Sequence, residues 1–279
     1  MLNARDYPFA DLELARKLER TEARANREFV EARVKAFPDW GAEWTEVAGT
    51  YAMFDGPGSP LTQTFGLGMF ESHEAQHFDA IENFFQQRGG GVFHEVCPLT
   101  DASTFALLSE RGYKPLEFSN VLYRPISENV RLDAVRNENI RVHKIRADEV
   151  DVWAQTAFEG WIEFTEVADF LRDLGHVIAR SKYLPFLAQL DDQPIAAGAL
   201  SISDDVALLA GASTIPSARR QGAQNALLEE RLRQAATLGC TIAMMVTQPG
   251  SGSQRNAERH GFRIAYTRTK WQLTEEEKR

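Results

Sequence analysis

Apolar and polar positions follow the same order of patterns in both halves of the chain. Short alternating runs predict strands, and longer runs with apolar residues three and four positions apart predict helices. In each half the pattern closes on a glycine–aromatic pair, Gly112-Tyr113 or Gly261-Phe262. The predicted strands are 44–54, 62–70, 92–96, 206–214 and 241–248, and the predicted helical segments are 9–37, 75–88, 103–111, 222–238 and 253–260.

The repeated order of elements predicts the fold class. The two copies are offset by about 150 residues, a distance typical of one structural unit. We therefore predict an α/β (α+β) chain of two tandem units, each with a mixed central sheet flanked by helices. The predicted join lies near residues 126–136.

A basic turn with a glycine separates the strand and the long helix of the second copy. It reads Arg219-Arg220-Gln221-Gly222-Ala223-Gln224. The first N–H groups of a helix have no partner within the helix and its dipole favours negative charge, so such a turn predicts a phosphate-binding site. The missing side chain of Gly222 lets an anion approach the backbone closely. The alternative is a solvated helix start whose arginines only add solubility.

This stretch resembles the acyl-CoA signature of the GNAT superfamily of N-acetyltransferases, [QR]-x-x-G-x-[GA]. Arg219 and Gly222 fit the signature, whereas Gln224 stands where the family more often has glycine or alanine. The resemblance continues through the strand at 241–248 and the short helix at 253–260. No P-loop signature and no complete dinucleotide-binding glycine pattern occurs in the sequence.

The resemblance implies acetyl-CoA as the cosubstrate. In the family, the backbone at the end of the strand orients the pantetheine arm and polarises the thioester carbonyl, and the turn binds the pyrophosphate. The cofactor-binding residues implied in this way are Ser213, Thr214, Ile215, Arg219, Arg220, Gln221, Gly222, Ala223, Gln224, Asn225 and Asn256. For Asn256, surface polarity on the short helix is a nearly equal explanation.

The first copy lacks a comparable turn. Glu71-Ser72-His73-Glu74 occupies the equivalent place, and its acidic side chains would repel a pyrophosphate. The triple glycine at 89–91 follows its helix instead of opening one. We therefore predict a degenerate GNAT-like domain without a cofactor motif at 1–130 and an acetyltransferase domain at 137–279.

The catalytic residues are less evident. The family often places a proton-donating tyrosine where this chain has Ala257. Tyr266 on the following strand is the substitute candidate, with packing as the alternative for an aromatic residue in a strand. Glu163, Glu166 and His176 are candidates for a base or for binding a cationic substrate. Direct attack by a neutral amine, with water relaying the proton, also stays open.

The aromatic region 153–176 is the predicted acceptor side, because the family's first two helices and their loop line the acceptor pocket. Trp161, Glu163 and Phe164 are the pocket candidates. The alternative is that the aromatic residues of this region fill the core.

Composition narrows the functional classes. The formal net charge is −9, which disfavours nonspecific nucleic-acid binding and allows a cationic small substrate. The sequence has neither a long apolar run nor the apolar core of a signal peptide, so we expect a cytoplasmic protein that does not enter a membrane. Cys97 and Cys240 are expected as buried, reduced thiols, and no metal site is expected.

Taken together, the residues and the resemblance predict a cytoplasmic acetyl-CoA-dependent N-acetyltransferase that acts on a primary amine of a small molecule. One alternative is a regulatory protein that binds acyl-CoA as a sensor without turnover. Another is O-acylation or a longer acyl donor.

Overall fold

The structure is a computed structural model that describes residues 6–126, 137–163 and 168–274. The chain forms two compact units. The first unit consists of Phe9–Val121, Val246–Gln254 and Ile264–Arg279, and the second of Met1–Pro8, Leu122–Met245 and Arg255–Arg263. Each unit therefore contains segments from both halves of the sequence. The predicted ranges 1–130 and 137–279 stay a prediction, and most of their join lies outside the described residues.

The first unit is built around a sheet in the order β1-β2-β3-β4-β11. β11, the last strand along the chain, pairs antiparallel with β4, with Thr269 opposite Val96. The sheet of the N-terminal half is thus completed by a strand from the end of the sequence. The elements are α1 (Leu12–Ala36), β1 (Glu43–Val47), β2 (Thr50–Phe54), β3 (Gln63–Phe65), α2 (Ala75–Gln86), β4 (Phe93–Val96), α3 (Ala102–Glu110) and β11 (Arg263–Leu273).

Two strand predictions in this unit were wrong in extent. The predicted strand 44–54 is a hairpin, because Ala48 and Gly49 both adopt positive φ and reverse the chain. The predicted strand 62–70 ends at Phe65. Gly66 and Gly68 also have positive φ, and a Cβ on Gly68 would lie 2.1 Å from the Thr104 hydroxyl oxygen. Close packing against α3 therefore takes the chain out of the sheet.

The second unit has its sheet in the order β10-β9-β8-β7-β6, flanked by helices. The strand and helices predicted around the basic turn are confirmed within a residue or two at each end. The elements are β6 (Ile140–Lys144), α4 (Val150–Gly160), α5 (Ala168–Arg172), α6 (Leu174–Ile178), β7 (Leu184–Leu190), β8 (Gln193–Ser203), β9 (Val206–Thr214), α7 (Ala223–Thr237), β10 (Ile242–Thr247) and α8 (Gly252–Arg259). β5 (Tyr113–Pro125), β10, α8 and β11 contribute residues to both units.

The core of the second unit forms between α7 and the sheet. Leu227 and Leu232 of α7 are fully buried against β8 and β9 residues such as Leu200 and Ala207. The apolar stripe of α7 at helical spacing thus holds the start of the helix, and with it the basic turn, at the end of β9. No helix within the described ranges has the length and apolar character needed to span a bilayer.

Candidate functional site

The turn between β9 and α7 has an unusual backbone. Arg220 has φ +65° and Gly222 has φ +98°. A left-handed conformation costs a non-glycine residue about 1–2 kcal/mol, and such strained residues cluster at functional sites. Successive residues of mixed handedness also turn their N–H groups toward one concave side, which favours anion binding.

The first turn of α7 presents unpaired backbone donors. Its first intrahelical hydrogen bond joins the Ala226 N–H to the Gly222 carbonyl at 3.1 Å, and the Gly222 N-cap supplies no side-chain oxygen. Among the described residues, no acceptor reaches the N–H groups of Ala223, Gln224 and Asn225. Above Gly222 the space is open, since an added Cβ would meet only the Asn137 Cβ at 3.7 Å. These predicted residues therefore form a positively polarised, accessible cradle.

The residue that departs from the family signature has a defined contact. The side-chain amide of Gln224 donates to the Thr214 hydroxyl at 2.8 Å. Gln224 thus fastens the start of α7 to the end of β9 and turns its side chain toward the strand. Asn137, which sequence reasoning missed, donates to the Gln221 carbonyl at 3.1 Å and supports the turn from outside.

One predicted acceptor-side residue contacts the cradle. The Glu163 carboxylate lies 2.7 Å from Nη1 of Arg219, whose Nε also approaches the Thr214 carbonyl at 3.4 Å. Both side chains are partly exposed, so the ion pair is worth about 1 kcal/mol or less. A pyrophosphate at the cradle would compete with Glu163 for Arg219.

β9 and β10 pair only over a short length. Three parallel pairs join them, from Ile242 opposite Val206 to Met244 opposite Leu208. In the described residues, β9 has no paired residue in β10 from Leu209 onward. Backbone groups at the end of β9, including those of the predicted residues Ser213 and Thr214, are therefore not committed to a ladder with β10.

A groove lies beside the cradle. Its volume is about 930 Å³, and it is lined by α4 residues together with Ile215, Ser217 and Gln221. Asp151, Glu159 and Asp191 add three carboxylates to its wall. A groove of this size suits a small-molecule ligand, and its acidic wall favours a cationic one.

The comparisons with known proteins agree with this geometry. The model of the Acetyltransferase (GNAT) family matches residues 147–262, which include β9, the turn and α7. This part of the chain is therefore similar to GNAT acetyltransferases.

Solved structures show the same fold over nearly the whole chain. A GCN5-related N-acetyltransferase from Kribbella flavida is 18% identical, with 91% of this chain and 95% of that chain covered and a TM-score of 0.65. A tandem GNAT protein from the clavulanic acid biosynthesis pathway is 10% identical, with 97% and 98% covered and a TM-score of 0.60. The fold is therefore that of tandem GNAT proteins. A comparison with curated proteins gives no match.

The remaining predicted residues are less closely tied to the GNAT cradle. Asn256 is half-buried on α8, and Trp161 caps the end of α4. His176 lines a separate cavity of about 340 Å³ with Phe158 and Leu171. Phe164 and Glu166 lie outside the described residues.

The position of the family's tyrosine is part of the core in this chain. Ala257 is buried in the same cluster as Leu227 and Leu232. This chain therefore lacks the tyrosine hydroxyl at this position, and the Ala257 side chain is packed in the core.

Tyr266 lies in the first unit, whereas the cradle lies in the second. Its side chain is 7% exposed, and its hydroxyl donates to Oε1 of Glu19 at 2.8 Å. Burial, reinforced by the Glu19 charge, raises the pKa of Tyr266 well above its ordinary value. A hydroxyl that holds its proton so firmly is a poor proton donor, so the structure favours the packing alternative.

We expect Tyr266→Phe to change kcat by less than about threefold, well below the 100-fold or more that general acid catalysis supplies. The phenyl ring fills the same space, and the variant loses only the hydrogen bond to Glu19. Steady-state kinetics and acetyl-CoA affinity, measured at matched folded fraction, test this. A drop in turnover rate by about two orders of magnitude at unchanged affinity would restore Tyr266 as the acid.

Glu19 gives this cluster a pH dependence. Burial raises the pKa of Glu19 from 4.5 to about 7, against the opposing charge of Arg268. Because the folded-state pKa is the higher one, Glu19 contributes stability at low pH that is lost as the pH rises toward 7. Between pH 4.5 and 7, we expect the unfolding free energy of the wild type to fall further than that of Glu19→Gln, by at most about 3 kcal/mol.

Urea denaturation across that pH range measures the effect. Glu110→Gln, at an exposed position of α3, is the control and leaves the profile unchanged. Parallel profiles for wild type and Glu19→Gln would show that Glu19 does not titrate in this window.

Proposed function

We propose that the chain is an acetyl-CoA-dependent N-acetyltransferase whose acceptor is a primary amine of a small molecule, with the cosubstrate bound by the second unit. The observation that carries the proposal is the row of N–H groups at Ala223, Gln224 and Asn225, which have no acceptor in the described part of the chain. This row lies next to the end of β9, where β9 no longer pairs with β10. The match of residues 147–262 to the GNAT family model raises its weight, because acyl transfer from acetyl-CoA is general in that family.

The cradle fits the anionic part of the cosubstrate. The backbone donors of the first turn of α7 and the side chain of Arg219 hold the pyrophosphate, and Gly222 leaves room for it. Ser213, Thr214 and Ile215 border the pantetheine arm. Backbone groups of Ser213 and Thr214 orient the thioester at the uncommitted edge of β9, whereas the Ile215 N–H donates to the Ile195 carbonyl.

The bound thioester supplies an activated acetyl group. The amine nitrogen forms a bond to the acetyl carbon, the carbon–sulfur bond breaks, and the proton lost by nitrogen leaves with the thiolate as CoA thiol. The acidic groove beside the cradle supports an amine acceptor, because its carboxylates raise the local concentration of ammonium groups. With Ala257 in the core, we assign the proton transfer to water.

A panel of small mono- and polyamines, with free CoA thiol as the readout, tests the proposal. Turnover with an amine, absent with the matching alcohol, supports it. If acetyl-CoA binds but no amine in the panel causes release of CoA thiol, the result would instead favour the sensor. The apolar surroundings of Ala257 support this alternative. Release of CoA thiol with the alcohol as acceptor, but not with the amine, would indicate O-acylation.

A further inference from the structure

A buried arginine lies beneath the end of β9. Arg231, on α7, is 2% exposed, and no carboxylate pairs with it within the described residues. Burial lowers the pKa of Arg231 to about 10, so the side chain still carries its charge at neutral pH. A buried, unpaired charge is costly unless its donors are used. The hydrogen bonds of Arg231 therefore indicate what this buried charge does in the structure.

Those contacts are backbone carbonyls of two adjacent strands. Nη1 donates to the Ala199 carbonyl of β8 at 3.1 Å and to the Ala210 carbonyl of β9 at 3.3 Å. Nε donates to the Leu227 carbonyl one turn earlier in α7 at 3.2 Å. Gly198 makes room for the guanidinium, since a Cβ there would lie 3.2 Å from Nη1.

The carbonyl of Ala210 marks the start of a β-bulge. Ala199 pairs with Ala210, but Ala197 pairs with Ser213, so β9 carries one residue more than β8 between these pairs. Gly211, with φ +59°, lies within the bulge. The extra residue reverses the side-chain alternation of the strand, which re-aims the groups that follow it.

The side chains on either side of the bulge show the reversal. Leu209 packs in the core against α7, whereas the Ser213 hydroxyl donates to the Ala157 carbonyl of α4 at 3.2 Å. On the α4 side, the Trp153 indole donates to the Gly198 carbonyl at 3.2 Å. The bulge is therefore held by one buried donor side chain from each of two helices.

We propose that Arg231 is a positioning residue for the acyl transfer. This inference rests on the proposed function. A planar trans peptide directs its N–H opposite to its carbonyl, so holding the Ala210 carbonyl toward α7 points the Gly211 N–H away from α7. Arg231 thereby presets the backbone at the uncommitted edge of β9, where the thioester carbonyl must be polarised. Arg231 itself contacts neither substrate.

Arg231→Met tests this role, because methionine fills similar space without a donor. We expect kcat to fall by about 10- to 100-fold, the effect of a small misplacement of a catalytic group, with acetyl-CoA affinity within about twofold of wild type. We also expect faster amide hydrogen exchange in residues 209–213. Leu187→Ala, at a fully buried position of β7, is the control for instability: it lowers the melting temperature but keeps kcat and the exchange of 209–213.

Gly198→Ala is the second variant and the test if Arg231→Met does not fold. Its Cβ, 3.2 Å from Nη1, shifts the guanidinium by a few tenths of an ångström without deleting it. A wild-type kcat and wild-type exchange in the folded variant would overturn the inference while leaving the proposed function intact. Absence of turnover by the wild type with every amine would refute the proposed function and the inference with it.

Discussion

Gly222→Glu is expected to weaken acetyl-CoA binding by at least about 100-fold, because a carboxylate a few ångströms from the pyrophosphate repels it by several kcal/mol. The new side chain would also occupy the open space above the turn, where an added Cβ meets only Asn137. Isothermal titration of the folded variant with acetyl-CoA measures the loss.

Two control variants separate the causes of this loss. Gly222→Ala retains the backbone strain at φ +98° without the charge, and a smaller loss of affinity is expected. Gly239→Glu makes the same substitution at the other end of α7, where φ is also positive, at +81°, and a Cβ meets nothing within 4 Å. It should leave affinity unchanged. Wild-type affinity in folded Gly222→Glu would remove the cradle from the cofactor site.

Arg33→Met is expected to lower the unfolding free energy of the first unit by about 3–5 kcal/mol, the usual cost of removing one partner of a buried ion pair. Arg33 and Asp55 are both almost fully buried, and two hydrogen bonds of 2.9 and 3.2 Å join the guanidinium to the carboxylate. Without Arg33, Asp55 is left as a buried charge with its principal cationic partner removed. Chemical denaturation followed by tryptophan fluorescence measures the change.

Lys35→Met is the matched control, since it removes the same charge from an exposed position of α1. It should change stability by no more than about 0.5 kcal/mol. Arg33→Met combined with Asp55→Asn should lose less than Arg33→Met alone, because the amide is cheaper to bury than an unpaired carboxylate. A loss below about 1 kcal/mol for Arg33→Met would show that the pair is dispensable.

The fold was readable from the sequence where local chemistry decides it. The apolar spacing of α7, and Gly239 after its end, fixed that helix within a residue. The break between β1 and β2 at Ala48 was missed, because alanine gives no sign of a positive φ. The pairing of β11 with β4 of the first unit could not be predicted either. The pairing of Thr269 with Val96 depends on packing, whereas the alternation of the strand states only that it is a strand.

Some features of the candidate site could likewise be predicted from the sequence, and others could not. The order of charged and glycine residues in the turn predicted the cradle, because helix-end electrostatics follow from local structure. The contact between Gln224 and Thr214 needed the structure. Arg231 did leave a signal in the sequence: it falls on the apolar stripe between Leu228 and Leu232, where a charged residue signifies a buried polar contact. Tyr266 was a candidate only through its position after Ala257, and its partner Glu19 is remote in sequence.

The central claim is that acyl-CoA binds at one site per chain, in the unit that holds Gly222. Titration of the wild-type chain with acetyl-CoA in a calorimeter tests it most directly, with Glu71→Ala and Glu74→Ala measured alongside as variants of the first unit. We predict a stoichiometry of one and unchanged affinity in both variants, because the acidic turn at 71–74 repels a pyrophosphate. A stoichiometry of two, or the absence of binding, would contradict this assignment.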